Sequence, residues 1–206
     1  MSDDINHTER GQAYTLEGFI GAMVVLLAVL FALQSVVITP TTGGLADRTV
    51  QEQVQQEARD MMVVSNQDGN LSNTTRYWDG TGGFNNTDQP PAPGETNRTY
   101  SVDRFANESD LGRLLKDRFS ETGWSYNVEL HTETSNRTIV YQGNPPASAL
   151  TASYTVTTYN DQNITWDGDD RTLEEAAADG DESIPQRNPG DETAIYNVVE
   201  VRVILW

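Results

Sequence analysis

The chain has no cysteine. That single absence removes disulfides, thiolate zinc sites, iron–sulfur clusters and a cysteine nucleophile. Histidine is confined to His7 and His131, so an imidazole zinc site has no second ligand near either one. Lysine is almost missing, with Lys116 the only one against twelve arginines. Nowhere do basic residues gather into a stripe, which excludes nucleic acid as a partner by charge. No Gly-x-Ser-x-Gly elbow, phosphate-cradling Walker loop or dinucleotide fingerprint occurs. The expectation from these gaps is a protein that is no enzyme and carries neither cofactor nor metal.

What is abundant is acid. There are 31 acidic and 13 basic residues in 206, a net charge of −18. Acid excess with almost no lysine is similar to the composition of haloarchaeal proteins. At about 1 M salt the Debye length is near 3 Å, so crowded surface carboxylates scarcely repel. At low salt the same surface works against its own folding.

Long apolar runs are also absent, with one exception that begins at Phe19 and ends at Ile38. Its only polar members are Gln34 and Ser35. A helix of that length spans roughly 30 Å, the thickness of a bilayer's hydrocarbon core. A buried helix of a soluble domain is normally apolar on one stripe, whereas this one is apolar all round. A membrane helix is expected, with a soluble hydrophobic hairpin as the competing reading. The chain then divides into a cytoplasmic leader-like tail (1–11), a transmembrane helix (12–39), an amphipathic helix (40–66) and an extracytoplasmic β-rich domain (67–206).

The tail is not a secretory signal: its charges are acidic apart from Arg10, and 39–42 is a poor cleavage site. The distinctive residues precede the apolar run, namely Arg10-Gly11-Gln12 and then Thr15-Leu16-Glu17. This stretch resembles the N-terminus of archaeal type IV pilins and of small haloarchaeal pilin-like membrane proteins, over about 35 residues. The resemblance implies a prepilin peptidase as partner, cutting after Gly11 or after Gln12. Glu17 then stands sixth or fifth in the mature chain. It further implies that Glu17 pairs with the freed N-terminal amine of a neighbouring subunit during filament assembly. The simpler reading of Glu17 is an interfacial charge facing the positive end of the helix dipole. Gly18 and Gly21 would let another helix approach closely.

Positive charge does not set the topology, because Arg10 before the span balances Arg48 after it. Glycosylation sequons do better. They occur at Asn70, Asn73, Asn85, Asn97, Asn107, Asn136 and Asn163 after the span, with Asn6 before it. So many acceptors suggest a glycosylated chain in the cell membrane, N-terminus inside and C-terminal domain outside.

Beyond the span, Pro40 and Gly43-Gly44 are expected to break or bend the helix. Residues 45–64 then read as a helix with Val50, Val54, Ala58, Met61 and Met62 on one face, laid on a sheet. Residues 65–98 are rich in Asn, Asp, Gly, Thr and Pro and are expected to be an exposed loop without a core, anchored by Tyr77-Trp78. A short helix over 109–119 follows, capped by Asn107 or Ser109 and ended by Gly123. Alternating patterns over 124–131, 138–141, 150–159 and 195–205 predict an antiparallel sheet with each strand's polar side in water. The fold class expected is α+β, an amphipathic helix packed on a small sheet, the layout implied by a pilin-like head.

Residues 167–192 carry ten acids against Arg171 and Arg187. Asp167-Gly168-Asp169-Asp170 invites a calcium reading, but the EF-hand spacing and its closing glutamate are missing, so a solvated loop is preferred. The leading functional expectation is a pilin-like subunit or accessory component with lipid and sister subunits as partners. The alternatives are a non-polymerising anchored binding or adhesion module, and an anchored hydrolase built around His131 or the acidic loops.

Overall fold

The computed structural model describes residues 4–34, 42–78, 83–166, 168–180 and 193–206, with side chains from 14 to 31 in the first helix and from 48 in the second. The protein is α+β. Its elements are α1 (Asp4–Gln34), α2 (Thr42–Gln67), α3 (Asn70–Thr75), α4 (Val102–Glu108), α5 (Asp110–Arg118), β1 (Tyr126–His131), β2 (Asn136–Val140), β3 (Leu150–Tyr159), α6 (Leu173–Ala178) and β4 (Ile195–Leu205). Two compact units divide the chain, Met1–Asp47 and Arg48–Trp206.

In the first unit α1 starts well before the apolar run, at Asp4. The stretch long and apolar enough to cross a bilayer is Tyr14–Phe31, and none of it is buried. Ile38, the expected far end of the span, lies outside the described residues. α1 ends at Gln34 and α2 begins at Thr42; Pro40 lies outside the described residues, and the Gly43-Gly44 pair falls in the first turn of α2. Glycine is least costly in a first turn, where the backbone N–H groups have no helical partner in any case.

In the second unit the strand order is β2-β1-β4-β3, antiparallel throughout. Tyr126, Val128 and Leu130 of β1 stand opposite Leu205, Val203 and Val201 of β4. All six are buried, so the alternating pattern does place one face on the core. The other face is not simply in water: Asn127 is buried on it, which corrects the expectation of a solvated polar side. Asn127 is tolerated there because both ends of its amide are used. Its Nδ2 donates to Gly143 O at 2.9 Å, and its Oδ1 accepts from Gln142 N at 2.8 Å.

Ala58, Met61 and Met62 of α2 enter the core, with Val54 against it. Val50 does not, being 53% exposed, so the packed face begins a turn later than its spacing suggests. Two α2 side chains reach β3 directly, Gln55 Nε2 donating to Thr151 O at 3.3 Å and Asn66 Nδ2 to the Tyr154 hydroxyl at 3.1 Å.

The larger correction concerns residues 65–98. They contain α3 and bury Leu71, Trp78 and Phe84 in the main core. Trp78 and Phe84 stack at 4.4 Å, and Trp78 Nε1 donates to Thr75 O at 2.8 Å. A few large apolar side chains, each separated by polar residues, were enough to tie down a segment whose average composition argues against a core. Just after it comes α4, unforeseen, capped by Ser101, whose Oγ accepts from Arg104 N at 3.2 Å. The next helix, α5, falls where expected with Ser109 at its N-cap position, but the Ser109 hydroxyl meets Thr74 at 2.8 Å instead of capping a backbone N–H, and Gly123 ends the short 3-10 turn that follows, at φ +93°.

The two edges of the sheet differ. At β2 the edge is covered: Thr138 N donates to the Glu95 carboxylate at 2.9 Å, and Tyr100 N to Ile139 O at 2.8 Å. At β3 the cover consists of Gln55 at Thr151 and Gln162 Oε1, which accepts from Tyr159 N at 3.0 Å.

Candidate functional site

The N-terminal signals share one helix. Arg10, Gly11 and Gln12 are in helical backbone, Glu17 lies about two turns further on, and the apolar side chains continue from there. Glu17 and its apolar neighbours are exposed; Phe19, Leu27 and Phe31 are each more than half exposed. Gly18 and Gly21 have open space where a Cβ would stand. Such a surface is stable only when something apolar covers it, because roughly 25 cal/mol is lost for every Å² of it left in water. Residues 10–13 are helical, so a protease would reach a bond there only after this part of the helix unwinds, and Gly11 lowers the cost of that step.

In the second unit three of the acceptor asparagines come together. Asn70, Asn73 and Asn107 line one cleft of about 500 Å³, with Tyr77, Glu108 and Asp110 on its walls and Phe84, Tyr100 and Phe105 behind them. Glu108 is held in place from three directions. The Tyr77 hydroxyl donates to its Oε2 at 2.6 Å, Asn86 Nδ2 to the same oxygen at 3.2 Å, and Arg104 pairs with Oε1 at 3.0 Å. α3 and α5 are joined beside it by the Thr74 and Ser109 hydroxyls at 2.8 Å. The cleft thus offers carboxylate and amide groups over an aromatic floor and has no lysine or arginine among its lining residues. That lining suits a neutral polar molecule and repels anions. No sequence pattern marked it, because its residues come from three helices and the segment read as a loop.

The remaining acceptors are dispersed. Asn85 lends its carbonyl to the Tyr100 hydroxyl, and Asn97 Oδ1 accepts from Arg137 Nη1 at 2.5 Å. Asn136 opens β2 opposite His131, and Asn163 pairs with Thr172. Asn73, Asn107, Asn136 and Asn163 are exposed, while Asn70, Asn85 and Asn97 are half-buried.

His131 is engaged by a neighbour on its own strand. Its Nε2 meets Glu129 Oε2 at 2.7 Å on the outer face of the sheet, where Glu200 and Arg202 pair at 2.8 Å. Hydrogen bonding from Ser153, against partial burial and with help from Arg202 and His131, holds the Glu200 carboxyl below its usual range. In the acidic stretch Asp167 lies outside the described residues. Asp169 is gripped by Arg171, Nη2 to Oδ2 at 2.6 Å, which lowers its pKa against the opposing effect of burial. The same arginine binds Asp179 at 2.9 Å. Among the described residues no three His, Asp or Glu side chains converge on a point that would hold a metal ion.

One family model, described as a family of unknown function, matches residues 10–205. No curated protein and no solved structure matches the chain.

Proposed function

The chain belongs to this family of unknown function (DUF7288), and we propose that it is a pilin-like single-pass surface protein, a subunit or accessory component of a type IV pilus-like filament. The observation that carries the proposal is the unburied run Tyr14–Phe31, with Glu17 at its start and Arg10-Gly11-Gln12 about two turns earlier on the same helix. In this reading α1 waits in the bilayer and, after cleavage at Gly11 or Gln12, exchanges lipid for sister helices. The Glu17 carboxylate meets a neighbour's new N-terminal amine in the low-dielectric bundle, where an ion pair is strong. The head stands outside the cell membrane, glycosylated at exposed acceptors such as Asn107 and Asn136, and the composition belongs to a salt-rich, haloarchaeal setting. The partners are lipid, sister subunits and a prepilin peptidase.

Mass spectrometry of the protein from native membranes tests this. The expected N-terminus is Gln12 or Ala13, and a mature chain that retains residues 1–11 ends the cleaved-pilin reading. A Glu17→Ala variant is expected to insert and be processed normally yet fail to enter filaments.

The cleft beside Glu108 favours a second reading, an anchored binding module that never polymerises. It predicts an unprocessed N-terminus together with loss of ligand capture in Tyr77→Ala.

A further inference from the structure

β3 is an edge strand with unusual chemistry. Its ten residues, LTASYTVTTY, include no charged side chain. The uncharged stretch extends over residues 138–160, the longest in the chain outside the apolar helix and its flanks. Natural proteins usually guard a long edge with lysine, proline or a bulge, because its free N–H and C=O groups accept another strand. Here the guards stand only at the ends. Gln55 occupies Thr151 O at one end; at the other the register shifts between Thr158 and Tyr159, and Gln162 takes Tyr159 N.

Antiparallel ladders direct alternate residues toward and away from the partner strand. Since Thr151 O points away from β4 to reach Gln55, the backbone groups of Ser153, Thr155 and Thr157 point the same way. Among the described residues none of these backbone groups has a partner, and Ser153 and Thr155 are exposed. At the strand's end Tyr159 and Ile195 form an exposed pair, 44% and 40%.

We infer that the β3 edge over residues 153–157 is a pairing surface on which the same edge of a second copy adds antiparallel, merging two sheets across a two-fold axis. Charge selects the occupant. Two bodies of −18 repel over most of their surfaces, and this strip is where they meet with no like charges opposed. Threonine opposite threonine or serine is a favourable cross-strand pair and is self-complementary, as an isologous contact requires. The pairing also closes on itself, because the opposite edge at β2 is already covered by Glu95 and Tyr100. It is a head-to-head contact that stands whether or not α1 enters a filament.

The chain's lack of cysteine makes the test direct. Thr155→Cys and Thr157→Cys are introduced singly into the full-length protein in detergent and 2 M KCl and oxidised beside an exposed-loop control, Thr96→Cys. Paired strands bring Cα atoms within disulfide range. At least one edge variant is expected to give disulfide dimer at ten times the control yield or more. Thr155→Lys, which sets a charge against its own copy, is expected to leave only monomer in sedimentation with an unchanged circular dichroism spectrum. Edge cysteines that cross-link no better than the control overturn the inference, as does cross-linking to another protein alone. A dimer that persists in Thr155→Lys is held by the apolar helices, and it overturns the edge contact without touching the filament reading.

Discussion

Asp88 and Ser101 form a clasp at the start of α4, the Ser101 N–H and hydroxyl donating to the carboxylate at 2.7 and 2.6 Å. Burial works against the charge, but these two bonds, together with smaller ones from the Gln89 side chain and the Asp88 backbone, outweigh it and hold the Asp88 carboxyl below its usual range. Asp169 and Glu200 are lowered as well. A depressed carboxyl contributes stability that is present above its unfolded value, near 4, and disappears as pH falls through the folded one. Thermal melts at fixed 2 M KCl are therefore expected to lose midpoint steadily below about pH 4. Asp88→Asn is expected to lower the melting point at pH 7 and flatten that acid slope, and an unaltered slope would show the clasp to be neutral. Ser101→Ala removes the cap and the hydroxyl half of the clasp, leaving the backbone N–H bond to Asp88, with an expected loss of about 1 kcal/mol at neutral pH. Tyr126 is a contrasting case: burial, then the nearby Asp103 charge, pushes its phenol upward, and its hydroxyl finds no partner. Tyr126→Phe is accordingly expected to be neutral or slightly stabilising in the same melts.

At the scale of elements, α4 and α5 meet at Gly112, where any Cβ would strike the Phe105 carbonyl. Gly112→Ala forces the two helices apart and is expected to cost about 2 kcal/mol in urea unfolding, a denaturant that leaves ionic strength unchanged. A smaller loss than in Gly123→Ala, where φ +93° alone costs about 1–2 kcal/mol, would mean that the crossing relaxes freely. The strands were legible because alternation survives in β1, β3 and β4, and the helix α5 because Leu111 and Leu115 fall one turn apart. Leu71, Trp78 and Phe84 were not, since long-range packing overrides local composition and leaves no period to read. The cleft escaped for a related reason. Tyr77 and Glu108 meet at 2.6 Å across thirty-one residues, and spacing within one element carries no trace of that. Their contact is a fact of tertiary structure alone.

For the whole molecule, −18 on 206 residues sets the terms on which the chain holds together. Raising KCl from 0.1 to 2 M shortens the Debye length from about 10 Å to about 2 Å. The melting point of the full chain in detergent is expected to climb across that range by several degrees, and a flat response would mean that pairs such as Arg171 with Asp169 already balance the charge. Another consequence follows from β4. It follows β1 and β3 in sequence, yet it lies between them, pairing with β3 from Ile195 to Leu205 and with β1 over Glu200–Leu205. A nascent chain therefore holds β1 and β3 without the strand that joins them into one sheet until residues 195–205 arrive between them. Such distant pairings form slowly. Until then the edge of β3 that β4 occupies stays open, so a chain cut short before residue 195 is expected to be digested by protease far faster than the whole one.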